Sequence, residues 1–137
     1  MTVQYSAALN NDQLDEIEVH IGTNASLLIY TGLPPATADL APSGTLLVAI
    51  NLPADWLAAA ASQEKAKAGT WSGTASGTGT AGHFRICNGS PTDVCQIQGN
   101  VDLTSASPTA DLTLDNTSIT SGQTVTVSTF KIVAANQ

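Results

Sequence analysis

His83-Phe84-Arg85-Ile86-Cys87-Asn88 is the stretch on which the fold turns. Phe84 and Ile86 fall on one side of an extended chain, and His83, Arg85 and Cys87 fall on the other. That period of two is the mark of a strand with one face in a core. Asn88-Gly89-Ser90-Pro91 follows as a turn cluster, and Val94 to Val101 reads as the returning strand.

Downstream, Ala110 to Asp115 is a further strand with Leu112 and Leu114 on one face. Ser121-Gly122-Gln123 turns into a last strand, Thr124 to Val133. Val125 and Val127 share one parity there, and Phe130 and Ile132 the other. A parity switch within a strand predicts a bulge near Ser128 and Thr129, or a change of partner.

Upstream, Gly73 to Gly82 is rich in Gly, Thr, Ser and Ala and reads as a turn or loop. Gly69 to Ser72 is expected as a strand around Trp71. Residues 53–68 stay open: Pro53 with Ala58 to Ala61 could begin a short helix, and Lys65 to Ala68 could already be strand. Thr45 to Leu52 is an apolar strand. Thr31 to Gly44 holds Pro34, Pro35 and Pro42 and reads as a long loop, since proline cannot donate to a ladder. Ser26 to Tyr30 is the first strand.

Before residue 25 the period is helical. Leu14, Ile17 and Ile21 form one apolar stripe over residues 10–21. Asn10 is the expected N-cap, with Gln13 three residues on as in a capping box. Asp12, Asp15 and Glu16 then lie in the first turns, and Gly22 ends the helix. The stripe is narrow, so the helix lies on its own sheet or on a neighbouring subunit.

About seven or eight short strands separated by Gly, Pro and Asn turns predict an all-β fold, an antiparallel β-sandwich of jelly-roll or immunoglobulin-like type with a short N-terminal α-helix. The 137 residues fit a single domain, 1–137, and a hydrophobic fraction of 42% supplies one core.

Ionisable chemistry is scarce. Lys plus Arg number 4, Asp plus Glu 11, His 2 and Cys 2, and charged residues make up 11%, less than half the roughly 25% usual in globular domains. Threonine alone occurs 18 times. A net charge of −7 with so few cations argues against nucleic acid, whose phosphates need Lys and Arg. It argues equally against an anionic membrane surface. No apolar run approaches the roughly 20 residues that cross a bilayer. Met1-Thr2-Val3-Gln4-Tyr5-Ser6 has neither a basic n-region nor an apolar h-region, so no signal peptide is expected and synthesis is expected in a cytoplasm.

Three segments together resemble a family of small structural proteins of tailed bacteriophages. They are Asn10-Asn11-Asp12-Gln13-Leu14-Asp15-Glu16-Ile17-Glu18; Leu52-Pro53-Ala54-Asp55-Trp56 with Lys65-Ala66-Lys67-Ala68-Gly69-Thr70-Trp71; and Gly79-Thr80-Ala81-Gly82-His83-Phe84-Arg85-Ile86 with Asp115-Asn116-Thr117-Ser118-Ile119 and Gly122-Gln123. Each is a turn and strand signature, and their order carries the resemblance. The resemblance implies a β-sandwich virion protein without enzymatic activity, cofactor or metal. It implies a capsid decoration (cement) protein or a tail accessory part, made in the host cytoplasm and located in the virion. Its partners would be the major capsid protein or other virion subunits, with a homo-oligomer in the assembled particle. Interfaces would carry the function, with the stripe Leu14, Ile17 and Ile21 expected as one contact surface and the polar loops 31–44 and 73–82 as alternative docking or exposed elements.

Cys87 and Cys95 flank the expected hairpin loop, which suggests a disulfide within or between chains. Yet Cys87 should face outward opposite Phe84 and Ile86, and Cys95 should face inward with Ile97. A bond would then need a register shift or a bulge, and one buried thiol with one surface thiol is the favoured reading. An exposed Cys87 could still cross-link a partner after particle release. His83 and Cys87 are too far apart on one strand for nucleophile and base. His83, Cys87 and Cys95 lack a fourth ligand and the spacing of a zinc site, and His20 is not obviously near. Asp93, Asp102, Asp111 and Asp115 are too scattered for calcium. Asn24-Ala25-Ser26, Asn88-Gly89-Ser90 and Asn116-Thr117-Ser118 match a glycosylation pattern, but Asn88-Gly89 and Asn116-Thr117 fit turns better. Tyr30, Trp56 and Trp71 could form a sugar-stacking platform, as a tail or fibre protein recognising a host glycan would need. Core or interface is the stronger reading, because aromatics are only 4% of the chain. A bacterial adhesion module is a further alternative.

Overall fold

The protein is described from a computed structural model, which covers residues 3–89, 95–106 and 110–135. Chain order is α1 (Ala7–Ile21), β1 (Ala25–Thr31), β2 (Leu46–Asn51), β3 (Glu64–Ala66), β4 (Ser72–Thr74), β5 (Gly79–Asn88), β6 (Cys95–Leu103), β7 (Leu112–Leu114), β8 (Ser118–Ile119) and β9 (Thr124–Val133). The chain is mostly β with one short N-terminal helix, as the patterning predicts.

The strands form one curled sheet in the order β2-β1-β5-β6-β7-β9-β3, with β4 also on β9 and β8 on β5. Two purely antiparallel sheets were expected; instead there is one mixed sheet, a half-barrel. The parallel element is β6 on β7, with Val101 opposite Leu112 and Leu103 opposite Leu114. The curl brings the far ends of the sheet together. A Cβ on Gly73 of β4 would lie 3.0 Å from Ile50 Cγ1 of β2, and the amides of Ser76 and Gly77 both donate to Leu47 O. Alternation alone cannot separate a sheet that packs on a second sheet from one that curls over itself, because both bury every second residue.

Inside the curl lies the main core. Leu27, Ile29, Leu47, Ile50, Phe84, Ile86, Leu112, Leu114, Val125, Val127 and Phe130 all enter it. Its aromatic spine runs from Trp56 to Trp71 at 6.0 Å, from Trp71 to Phe130 at 5.2 Å, and from Phe130 edge-on to Phe84 at 5.5 Å. The parity switch in the last strand is real. Thr113 pairs with Thr129 and Leu114 with Val127, so Ser128 is the extra residue of a bulge. It lets Val125 and Val127 share the core with Phe130.

The helix starts earlier than expected. Ser6, not Asn10, is the N-cap, and its Oγ accepts from the Leu9 amide at 3.1 Å. Asn10 lies on the buried face with Leu14 and Ile21, where its Nδ2 donates to Gln63 Oε1 at 2.6 Å. The first turn holds no acid, so Asp12, Asp15 and Glu16 do not act on the helix dipole as anticipated. Gly22 does end the helix, at a φ of 89° that suits glycine, with its amide on Glu18 O.

Residues 53–63 form no helix. Ser62 and Gln63 have φ values of 53° and 62° and turn the chain between Ala61 and Glu64, whose amides and carbonyls exchange hydrogen bonds. Two successive positive φ angles mark a type I′ hairpin turn. Gly73 to Gly82 is not simply loop either, since it holds most of β4 and the start of β5. Trp71 comes just before β4 rather than inside a strand at 69–72. Ser90, Pro91, Asp93 and Val94, part of the expected turn and returning strand, lie outside the described residues.

Candidate functional site

Four features could carry function: the helix clamp, the strap over the outer sheet face, the aromatics, and the two thiols.

The clamp is built on Lys65, whose side chain is only 2% exposed. Its ammonium donates to Asp15 Oδ1 at 2.7 Å and to Ala58 O at 2.8 Å, and lies 3.3 Å from Glu18 Oε2. The same carboxylates also accept from backbone amides that no strand satisfies. Leu57 N donates to Glu18 Oε1 at 3.2 Å, and Ala60 N donates to Asp15 Oδ1 at 2.8 Å. Gln63 N donates to Asn11 Oδ1 at 2.9 Å. The helix side chains therefore take up the amides of Leu57, Ala60 and Gln63, while those of Ala58 and Ala61 pair with Ala66 O and Glu64 O. Hydrogen bonding to Lys65, then to Ala60, holds the Asp15 carboxyl below its ordinary value of 3.8. Beside this clamp runs an open groove of about 750 Å³, lined by Asp15, Glu18, Asp55 and Lys65 and by the apolar Val19 and Leu57 among others.

With Asn10, Leu14, Ile17 and Ile21 face the chain's own interior. Leu14 and Ile21 are buried, and Ile17 packs against the main core. The stripe expected to meet a neighbouring subunit is thus covered by its own sheet. Of the two settings expected for a narrow stripe, the chain's own sheet is the one seen, and polar side chains on the adjoining turns are anchored there as well.

On the outer face of β5 lies a buried polar row. His83 Nδ1 donates to Gly32 O at 2.9 Å, and its ring stacks on Tyr30 with centroids 5.2 Å apart. Arg85 is 4% exposed, and its Nη2 donates to Ala38 O at 2.8 Å and Leu40 O at 2.7 Å. Gln98, opposite Arg85 in the ladder, donates to Pro35 O at 2.7 Å. All four acceptors belong to the loop 32–44, which therefore lies as a strap across the sheet. Arg85 Nη1, His83 Nε2 and Gln98 Oε1 are buried without a hydrogen-bond partner. The strap also carries Leu33, which is 81% exposed, and the exposed Leu40. Alternation along 83–88 is confirmed, but the face opposite the main core is covered too, because the proline-rich loop folds back over it.

Trp56 and Trp71 are both 0% exposed. Their indole N–H groups donate to Gly22 O and Ala68 O, each at 3.0 Å. Tyr30 is also buried, and burial pushes its phenol above the ordinary value. The three rings are core and cannot stack on a sugar, which corrects the glycan-platform alternative.

Cys87 and Cys95 are both buried thiols, so neither is the surface thiol that was expected. The ladder pairs Ile86 with Ile97 but Cys87 with Cys95, leaving Gln96 as a bulge. Cys95 therefore shares a cluster with Cys87, Leu28 and Tyr30, not the core with Ile97. A bulge is invisible to simple parity counting. His20 reaches Gln96 at 3.2 Å, a proximity the sequence did not reveal.

Among the described residues no group of three or more His, Cys, Asp or Glu side chains could hold a metal ion. Among the described residues, too, no helix is long and apolar enough to cross a membrane. No family model matches this chain, and no curated protein and no solved structure matches it either.

Proposed function

We propose that this chain is a non-enzymatic structural protein of a tailed-phage virion, most specifically a capsid decoration protein that binds the shell as repeated copies. One observation carries the reading furthest: each of the four Lys and Arg side chains already has a partner inside the chain. Lys65 is held by the helix carboxylates, Arg85 by the strap, Lys131 by Glu64 at 2.8 Å, and Lys67 by Gly69 O beneath its contact with Trp71. With a net charge of −7, and with only Lys67 and Lys131 of the Lys and Arg side chains reaching the surface, acids, amides, hydroxyls and a few apolar side chains dominate the surface left for partners. Such a surface suits docking on a neutral or basic protein lattice and is unsuited to nucleic acid. The groove beside the clamp, lined by Asp15, Glu18 and Asp55 against the single cation Lys65 and by apolar residues, is the part that best fits a basic segment of the major capsid protein.

The jelly-roll or immunoglobulin-like sandwich expected from the strand pattern belongs to this same reading. The half-barrel supports it only in that both ends of the sheet meet over one core. Purified protein added to shells that lack it, imaged by cryo-electron microscopy, tests the proposal. Ordered density at symmetric shell positions, weakened by salt, is the expected result. Density at the neck or tail tip would transfer the function to the tail, and no binding to any part of the particle would end the virion reading.

A further inference from the structure

Cys87 and Cys95 sit directly opposite one another in the β5–β6 ladder. Both side chains enter the same small cluster with Leu28 and Tyr30, so both point to one side of the sheet. Opposed residues of an antiparallel pair hold their Cα atoms about 4.5–5.5 Å apart. That separation falls inside the roughly 4.4–6.8 Å that a disulfide spans. The bulge at Gln96 is what brings the two thiols into register, since without it Cys95 would join Ile97 on the other face.

We propose that Cys87 and Cys95 are a redox-closable staple, reduced when the chain folds and oxidised afterwards by a low-molecular-weight disulfide such as oxidised glutathione. Cys95 is the more exposed of the two, at 7% against 2%, and reacts first, giving up the hydrogen bond that its thiol donates to Ile97 O. Its thiolate attacks one sulfur of the external disulfide and expels one thiolate, forming a mixed disulfide. The Cys87 thiolate then attacks the Cys95 sulfur and expels the second. The two protein thiols lose two protons and two electrons, and the external disulfide takes them up as two thiols. The new bond ties β5 to β6 where their register shifts. The chemistry stands on the register alone; that closure follows release from a reducing cytoplasm rests on the virion reading.

The test uses the full reduced chain, incubated natively with oxidised glutathione, then denatured in the presence of an alkylating agent and cut with trypsin. Cleavage at Arg85 and Lys131 leaves both cysteines in one fragment, 86–131. The expected fragment carries no alkyl group and is about 2 Da lighter than its reduced form. The Tm of the intact protein should rise by about 5 °C or more, reversibly with dithiothreitol, and not in Cys87→Ser or Cys95→Ser. Two fully alkylated cysteines after native incubation would overturn the proposal. So would a disulfide-linked dimer as the oxidised product, or closure only in denaturant. Because the isolated chain is measured, failure of shell binding and failure of the staple are distinguishable.

Discussion

The ammonium of Lys65 lies 2.7 Å from Oδ1 of Asp15, joining a three-residue strand to the helix fifty positions earlier in the chain. The two ends of this pair differ in setting: the lysine is sealed in, whereas the aspartate is 46% exposed. Removing the lysine leaves carboxylates that water can reach. Lys65→Met keeps the aliphatic packing and should cost about 1–2 kcal/mol, below the usual figure for breaking a fully buried pair. Urea unfolding at neutral pH measures it, and an unchanged midpoint would remove the clamp from the account of stability.

The same pair sets a pH dependence. The Asp15 carboxyl is depressed below 3.8 in the native state, so the unfolded chain binds its proton first. The contribution is complete above that ordinary value and is lost as pH falls through the lower native one. Wild-type protein should therefore lose more stability than Lys65→Met on acidification below pH 3.8. Parallel urea midpoints for the two proteins across that range would contradict the assignment.

Arg85 holds the strap through two carbonyls while its Nη1 stays without a partner. A buried polar network left incomplete is the first place to open. Arg85→Met should accelerate amide hydrogen exchange in residues 36–42 by about tenfold or more while leaving β5 and β9 protected. Unchanged exchange there would show that the loop is held without Arg85, by the His83 and Gln98 bonds and its prolines.

Trp71 touches both Trp56 and Phe130 in the spine. Trp71→Ala should cost about 3–5 kcal/mol in denaturant unfolding, the range for deleting a buried aromatic ring. Tryptophan emission of the wild type should be blue-shifted and insensitive to added polysaccharide. A glycan-induced change in that emission would restore the sugar-binding alternative.

Gly82 is the extra residue where the β1–β5 register shifts between Tyr30 and Thr31. A Cβ there would fall 2.2 Å from Gly32 O and 2.7 Å from Gly32 N, and backbone cannot give way as a side-chain tip would. Gly82→Ala should destabilise by about 2–3 kcal/mol and loosen the strap that begins at Gly32. Calorimetry of the variant checks this, and a Tm within 2 °C of wild type would be inconsistent with so close an approach.

Local pattern determined a good deal on its own. The alternation at 83–88 located β5, the parity break near Ser128 located the bulge of β9, and the stripe at Leu14, Ile17 and Ile21 located the helix with Gly22 at its end. These features are written in spacings of two to four residues, which the sequence displays directly. Tertiary structure alone decided the rest. The single curled sheet, the parallel pairing of β6 with β7, the burial of Lys65 and Arg85, and the meeting of Cys87 with Cys95 all depend on segments far apart in the chain or on a one-residue register shift. Asn10 shows the boundary clearly. By itself it reads as a helix cap, and only the turn at Gln63, folded against it, makes it a buried hydrogen-bond donor. A residue's local preference is worth about 1 kcal/mol, and a long-range partner that satisfies a buried polar group outweighs it.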